Sequence, residues 1–325
     1  MKRAICLYAL AATAAIAASA GCGGTPSQPT LPVLSSRRAT MDRALSWMAP
    51  DAKKHALLYI SDQGTNDVYI YSYPGGALKG TLTGFDQPYG MCTDKAGDVF
   101  IANTQKQDVL EYRHGGENPI ATLSDSGYYP VGCSVDPTTG NLAVTNFQAL
   151  ESKPGNVAIY AGAQGTPTSY SDSNMPLYEF CGYDDKGNLF IDGYNATGGF
   201  AFAELPTGSS NFTNISLNTT VYQPGAVQWD GKYVAVGDQY YGNGPASAIY
   251  RVSISGSSGT VVGTTLLKQG TDGVQVVQFW KRGKKVIGSN VLAGSANVWK
   301  YPSGGNAKTL VTGLKIPYGA TVSVK

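Results

Sequence analysis

The sequence predicts an all-β protein: a six-bladed β-propeller of four-stranded antiparallel blades, its ring closed by the C-terminal strand pairing into the first blade. Three observations lead there. A short strand recurs six times, as "LLYISD", "DVFIAN", "NLAVTN", "NLFIDG", "YVAVGD" and "KVIGSN". Its final residues are Asp62, Asn103, Asn146, Gly193, Asp238 and Asn290, five of the six Asp or Asn, spaced 41 to 52 residues apart. The tripeptide PYG occurs in "QPYGMCTDKAGDVFIANT" and again in the C-terminal "IPYGATVSVK", where only one strand's worth of residues follows it.

Each repeat supplies four strands. The innermost are "PYGMCTD", "PVGCSVD", "LYEFCGYD", "PGAVQWD", "DGVQVVQFW" and "PYGATVSV". Turns such as "DKAGD" and "DDKGN" join them to the recurrent strand, as a hairpin requires. Third strands follow as "DVYIYSY", "DVLEYRH", "NVAIYAG", "GFAFAEL", "AIYRVSI" and "NVWKYPS", and outer strands as "GTLTG", "IATLS" and "KTLVTG". In "DVYIYSY" Val68, Ile70 and Ser72 face one way and Tyr69, Tyr71 and Tyr73 the other. Apolar bulk on both faces suits a sheet sandwiched between two neighbours. Stacking in a ring covers every face and leaves only short edges. The first repeat lacks an innermost strand of its own, and "PYGATVSV" can supply it. A β-sandwich would use similar strands but would not produce the repeat.

The 325 residues include 41 Gly and 21 Tyr, only 14% are charged, and the formal net charge is +2. No Lys/Arg cluster stands out, so there is no electrostatic case for nucleic acid. Residues 1–21 read as an export signal: Met1, Lys2 and Arg3 precede the Ala-rich apolar stretch "AICLYALAATAAIAASA". "SAGC" resembles the lipobox of bacterial lipoproteins, with Ser19 where that pattern usually has Leu. The resemblance implies a lipid on Cys22, and Gly23 after it implies an outer-membrane or cell-surface position. Cleavage after "ASA" would instead leave a soluble secreted protein. Residues 22–54 read as a Pro/Ser/Thr/Gly-rich tether followed by "TMDRALSWMAP". That segment could form a short helix capped by Thr40, with Leu45, Trp47 and Met48 as its apolar face, or pack loosely on the domain. The propeller itself is expected over residues 55–325, as a monomer.

The pattern P-x-G-x-x-x-D-x-x-G-[ND]-[VL]-[FA]-[IV]-x-[ND], clearest in residues 88–103 and 130–146, resembles the NHL-repeat and gluconolactonase/regucalcin-like propellers. Aligning the innermost strands on PYG gives a channel-mouth ring of Tyr89, Val131, Glu179, Gly225, Asp272 and Tyr318, with Tyr178 beside it. Glu179 and Asp272 are its only carboxylates. In gluconolactonase-like enzymes a Glu, with Asp and Asn from other innermost strands, holds a divalent cation on the axis. The resemblance therefore implies Ca²⁺ or Mg²⁺ held by Glu179 and Asp272, polarising a lactone carbonyl and activating a water. Val131 and Gly225 stand where that family's Asn ligands are expected. The plainer expectation for Glu179 is a solvated rim residue or a strand-end acceptor.

Other residue types narrow the chemistry. The Asp/Asn series serves every blade, most simply by capping the turn after its strand. His55 and His114 are the only histidines and fall away from the axis, against a His-dependent lyase or a Ser-His-Asp triad. Cys92, Cys133 and Cys181 lie on successive innermost strands, with Cys92 out of frame with the other two, and are expected as small buried thiols, with a disulfide between two of them as the alternative in an exported protein. Tyr129 and Tyr222 join Tyr89, Tyr178 and Tyr318 near the mouth. The loops 147–155, 194–198 and 239–246, carrying Tyr194, Tyr240 and Tyr241, are expected on the opposite side. The sequence thus points to an extracytoplasmic, non-catalytic scaffold without cofactor, binding a protein, peptide or glycan and meeting the membrane only through its lipid. The alternative is the metal-dependent lactonase-like hydrolase.

Overall fold

The computed structural model describes residues 45–271 and 273–325. The signal segment, Cys22, the tether, Thr40 and Asp272 lie outside the described residues. Six sheets, each with four antiparallel strands at its heart, form the six blades, and the outermost strand of blade five adds two short parallel pairings, with Ser216–Leu217 and Gly305–Asn306. Blade two is Pro88–Thr93, Val99–Asn103, Asp108–Tyr112 and Pro119–Ser124, ordered from the axis outward. Blade three begins at Tyr128–Val135, blade four at Leu177–Tyr183, blade five at Pro224–Trp229 and blade six at Phe279–Arg282. Blade one takes its innermost strand, Pro317–Ser323, from the far end of the chain. That strand pairs antiparallel with Ala56–Asp62, Leu57 opposite Ser323 and Asp62 opposite Pro317. Among the described residues no helix is long and apolar enough to cross a membrane.

Trp47–Met48 departs from the helix expectation. It is extended and adds a fifth, outermost strand to blade one, with Trp47 opposite Thr81 and Met48 opposite Gly80. Pairing it covers a sheet edge that would otherwise present unpaired backbone groups.

The blades are held together by the two-faced strands. Val68 and Ile70 pack with Met91, Val99 and Ile101 between blades one and two. Tyr71, from the opposite face of the same strand, packs with Ile287, Val298 and Val311 of blade six. A continuous cluster through Phe202, Val236, Ile249, Val286 and Trp299 joins blades four, five and six. Each such side chain withdrawn from water contributes about 1.5–3 kcal/mol before chain entropy is set against it.

The Asp/Asn column has a wider job than a turn cap. Asp62 accepts the backbone N–H of Gly64 two residues on at 3.0 Å. It also accepts those of Lys315 at 2.7 Å and Ile316 at 2.8 Å, where the chain approaches the innermost strand. Asp238 holds Tyr240 and Gln223 in the same two ways, and Asn290 holds Leu292 and Gln275. Asn103 holds Asp86 at 2.7 Å. In blades one, two, five and six one buried polar side chain therefore pins the innermost strand to the second, whereas in blade three Asn146 donates to Asn156 at 2.7 Å. Blade four breaks the column. A Cβ on Gly193 would lie 2.0 Å from the Leu177 carbonyl oxygen, so no side chain fits there.

The glycine of P-x-G has an equally local cause. A Cβ at Gly319 would lie 2.3 Å from the Tyr89 carbonyl oxygen, and one at Gly90 2.4 Å from that of Val131. Neighbouring innermost strands approach too closely for any side chain at that point. The hydroxyl of Ser61 accepts the Gly319 N–H and donates to the Tyr89 carbonyl, and Thr145 donates to the Glu179 carbonyl at 2.7 Å.

The cysteines differ from expectation. Cys92 and Cys133 form a disulfide with their Cα atoms 5.7 Å apart, and among the described residues Cys181 is the free, buried thiol. The difference in frame is what permits the bond. On adjacent innermost strands, one side chain must point forward and the other back for the two to meet between blades two and three.

Candidate functional site

The start of each innermost strand pairs with the end of the second strand: Pro88 with Asn103, Pro130 with Asn146, Tyr178 with Gly193, and Pro224 with Asp238. The loops leaving the second strands therefore open at the same end as the channel mouth, not at the opposite end. Antiparallel pairing dictates this, because a strand that runs away from the mouth hands over to one that returns. The loops of Tyr194 and Tyr240, predicted for the opposite side, thus lie at the same end as Tyr89 and Tyr318.

At that end lies a cavity of about 370 Å³, lined by Tyr89, Val131, Glu179 and Tyr318 of the predicted ring. Tyr129, Phe147, Thr104, Gln63, Gln87, Gln105 and Gln148 complete the lining. The rings of Tyr89 and Tyr318 stack with centroids 4.9 Å apart at 28°, and Phe180 lies 6.2 Å from Tyr89. The closing strand thus places residue 318 beside residue 89. Deeper along the channel, the Gln278 amide accepts the N–H groups of Met91 and Ala320, each at 3.1 Å. It also donates to the Met91 carbonyl at 2.7 Å. This one side chain ties blade six to blades two and one across the axis. A second cavity of about 180 Å³, lined by Gln278 and Phe180 among others, opens on the far side and shares no lining residue with the mouth. The mouth cavity is thus a cup whose lining is separate from that of the far side.

Three predicted positions sit elsewhere, and a fourth, Asp272, lies outside the described residues. Tyr178 is buried in the core between blades three and four, and its hydroxyl meets the backbone of Asp172. It stands where Pro88 and Pro224 stand in blades two and five, one residue before the ring position and so on the opposite face from Glu179. Gly225 is buried, its backbone packed against that of Gly237, and does not line the cup. Tyr241 packs against Tyr250 with centroids 6.3 Å apart. The ring position given to Asp272 belongs to Val277. Asn290 accepts the Gln275 N–H, and the Gln275 carbonyl accepts the Val291 N–H at 3.0 Å. Gln223 makes the same pair of bonds two residues before Gly225. Asp272 lies five residues earlier in the chain and outside the described residues.

Glu179 is buried, not solvated at the rim. Its side chain is 6% exposed, and Oε2 has no hydrogen-bond partner. Burial pushes its carboxyl up to about 8. Asp192, one residue before Gly193, lies on the same blade and is fully buried. Burial likewise drives its carboxyl well above the usual range, opposed by the Phe180 N–H that donates to Oδ1 at 2.9 Å and reinforced by the nearby Glu179 charge. Its Oδ2 has no partner. Burial raises the phenols of Tyr89, Tyr194 and Tyr318, and Glu179 raises each further. Tyr240 acts on Tyr194 and Tyr318 as well, which brings the loop tyrosines to the mouth. Asp192 escaped the sequence analysis because it is displaced by one position from the Asp/Asn column and so faces the other way. The glutamines left a fainter signal: Gln63, Gln105 and Gln148 each follow the column residue by one or two positions.

These residues do not fit the cation that the family resemblance implies. Ca²⁺ takes six to eight oxygen ligands and Mg²⁺ a strict octahedron. Glu179 faces Val131 and neutral phenols around the ring, and the described residues contain no group of three His, Cys, Asp or Glu able to hold a metal.

No family model matches the chain, and no curated protein matches it. Solved structures do. A chain of a nidogen/laminin complex is 13% identical with a TM-score of 0.64, over 83% of this chain and 98% of that one. A protein of unknown function from Bacteroides caccae is 11% identical with a TM-score of 0.60, over 83% and 100%. A catalytically inactive variant of virginiamycin B lyase from Staphylococcus aureus, determined with quinupristin, is 12% identical with a TM-score of 0.55, over 86% and 95%. At these identities the similarity is one of fold.

Proposed function

We propose that this propeller is a non-catalytic binding protein that receives its ligand, a small molecule or the protruding end of a peptide or glycan, in the cup at the channel mouth. The observation that carries this reading is the cup itself: about 370 Å³, walled by Tyr89, Tyr318, Tyr129 and Phe147, with the amides of Gln63, Gln87, Gln105 and Gln148 among its lining. Tyrosine offers flat apolar area with a polar tip at low entropic cost, which suits recognition. Direct binding measurements with peptide and glycan panels test it. Tyr89→Ala should weaken any captured ligand roughly 10- to 100-fold, as loss of a central aromatic anchor does. Unchanged affinity in that variant would move the site elsewhere.

We further propose that the protein works outside the cytoplasm, anchored through a lipid on Cys22. The Cys92–Cys133 disulfide supports an oxidising compartment. Cys22→Ala should shift the protein from the membrane fraction to the soluble one, and unchanged partitioning would defeat the anchor.

A further inference from the structure

We infer that the cup recognises an organic ammonium ion, seated against the stacked Tyr89–Tyr318 pair with the Glu179 carboxylate as its counter-ion. The inference rests on the cup being the ligand site and names the class of ligand it takes. Three features of the cup point to a cation. Glu179 Oε2 is buried, unpartnered and part of the cavity wall. A buried acceptor left without a donor is costly, and a ligand N–H or ammonium charge removes that cost. Four of the ten other lining residues, Tyr89, Tyr129, Phe147 and Tyr318, are aromatic, and the faces of such rings attract cations within about 6 Å of their centres. No Lys, Arg or His lines the cup to compete for the carboxylate or to repel the ligand.

Other ligand chemistries fit less well. An anion would meet Glu179 and, behind it, Asp192, with no positive group to receive it. A neutral glycan would find the glutamine amides at the rim but leave the buried acid without charge compensation. The groups that face Glu179 are Asp192 and Tyr194 of its own blade, Tyr89 of blade two and Tyr318 of the closing strand, with Tyr240 behind them. Blade three contributes Val131 and Thr145, which carry no charge.

Proton balance follows from the geometry. In the free cup the carboxyl is held largely protonated below its raised value of about 8. Binding of an ammonium ion selects the carboxylate and releases one proton to solvent. Affinity for a quaternary ammonium should therefore rise with pH and level off above about 8. A neutral ligand bonded to the protonated acid would show the reverse.

The experiment uses calorimetry on the purified protein with choline, butylammonium and 3,3-dimethylbutan-1-ol, the uncharged isostere of choline. The expected result is binding of at least one cation. For choline, the isostere should bind at least tenfold more weakly, and affinity should increase about tenfold or more between pH 6 and pH 8. Glu179→Gln should lose at least tenfold for the cation. The isostere comparison and the pH series need no variant, so a folding defect in Glu179→Gln would not blunt the test. Equal binding of choline and its isostere, a flat or falling pH profile for choline, or no binding of either cation overturns the inference. If peptides or glycans then bind in a Tyr89-dependent manner, the cup remains the ligand site and only the ammonium assignment fails. If nothing binds there, both fall.

Discussion

Removing residues 316–325 is expected to abolish the cooperative unfolding transition, not merely lower its midpoint. The segment supplies the whole innermost strand of blade one. Its Ala320 and Val322 are buried with Leu58, Ile60 and Ile287, so blades one and six lose a shared core. Polar groups are stranded as well. Asp62, fully buried, keeps the N–H groups of Gly64 and Lys315 but loses that of Ile316, a hydrogen bond to a charged group worth about 1.5–3 kcal/mol. Ser289 loses its acceptor at Gly319, and His114 loses the Ser323 hydroxyl 2.7 Å from Nδ1. Typical domain stability is roughly 5–15 kcal/mol, so the combined loss exhausts it. Urea denaturation followed by tryptophan fluorescence and circular dichroism checks this. A truncated chain with an intact, steep transition would mean that the ring closes without its clasp.

Replacing Glu179 with Gln is expected to stabilise the protein at alkaline pH while weakening its ligand. The sign follows from linkage. The folded state holds this carboxyl at about 8 against a usual 4.5, so between those values the folded protein binds more protons than the unfolded chain. The stability contributed by the protonated acid is full below about pH 4.5 and is lost progressively as pH rises toward 8. The loss is on the order of 3–5 kcal/mol for the full shift. Asp192, raised for the same reason, acts in the same direction. Urea midpoints measured at pH 5 and pH 8.5 should fall for the wild type and fall much less for Glu179→Gln. Parallel falls in both proteins would show that Glu179 is not the group responsible. One residue would then account for both a liability of the empty fold and the recognition of its ligand, the usual exchange between stability and function.

The fold was readable because its signals recur for mechanical reasons. Asp62, Asn103, Asp238 and Asn290 repeat because each ties an innermost strand to its neighbour. The glycine of PYG repeats because backbones crowd there. Site residues obey no such repetition, and alignment on the repeat misplaced some of them. The fifth spacing, at 52 residues, contains the eleven-residue strand Ser258–Lys268, so counting slid from Val277 to Asp272. Tyr178 immediately precedes Glu179 in the strand, so alternation sends it to the opposite face, into the core. Cys92 and Cys133 needed knowledge of which faces meet between neighbouring blades. Asp192 was hidden because a one-residue displacement in a strand exchanges the two faces.

The break in blade four has one more effect. A perfectly regular six-fold cup would offer an incoming molecule six equivalent orientations and select none of them. Gly193, by excluding the column side chain, and Asp192 beside it mark a single blade as the acidic quadrant, while Tyr89 and Tyr318 mark a different arc as aromatic. The rim acquires a compass bearing. A ligand with a charged end and a bulky body can then dock in only one rotational setting, which lets a ring built from repeats present a guest to the outside in a fixed direction.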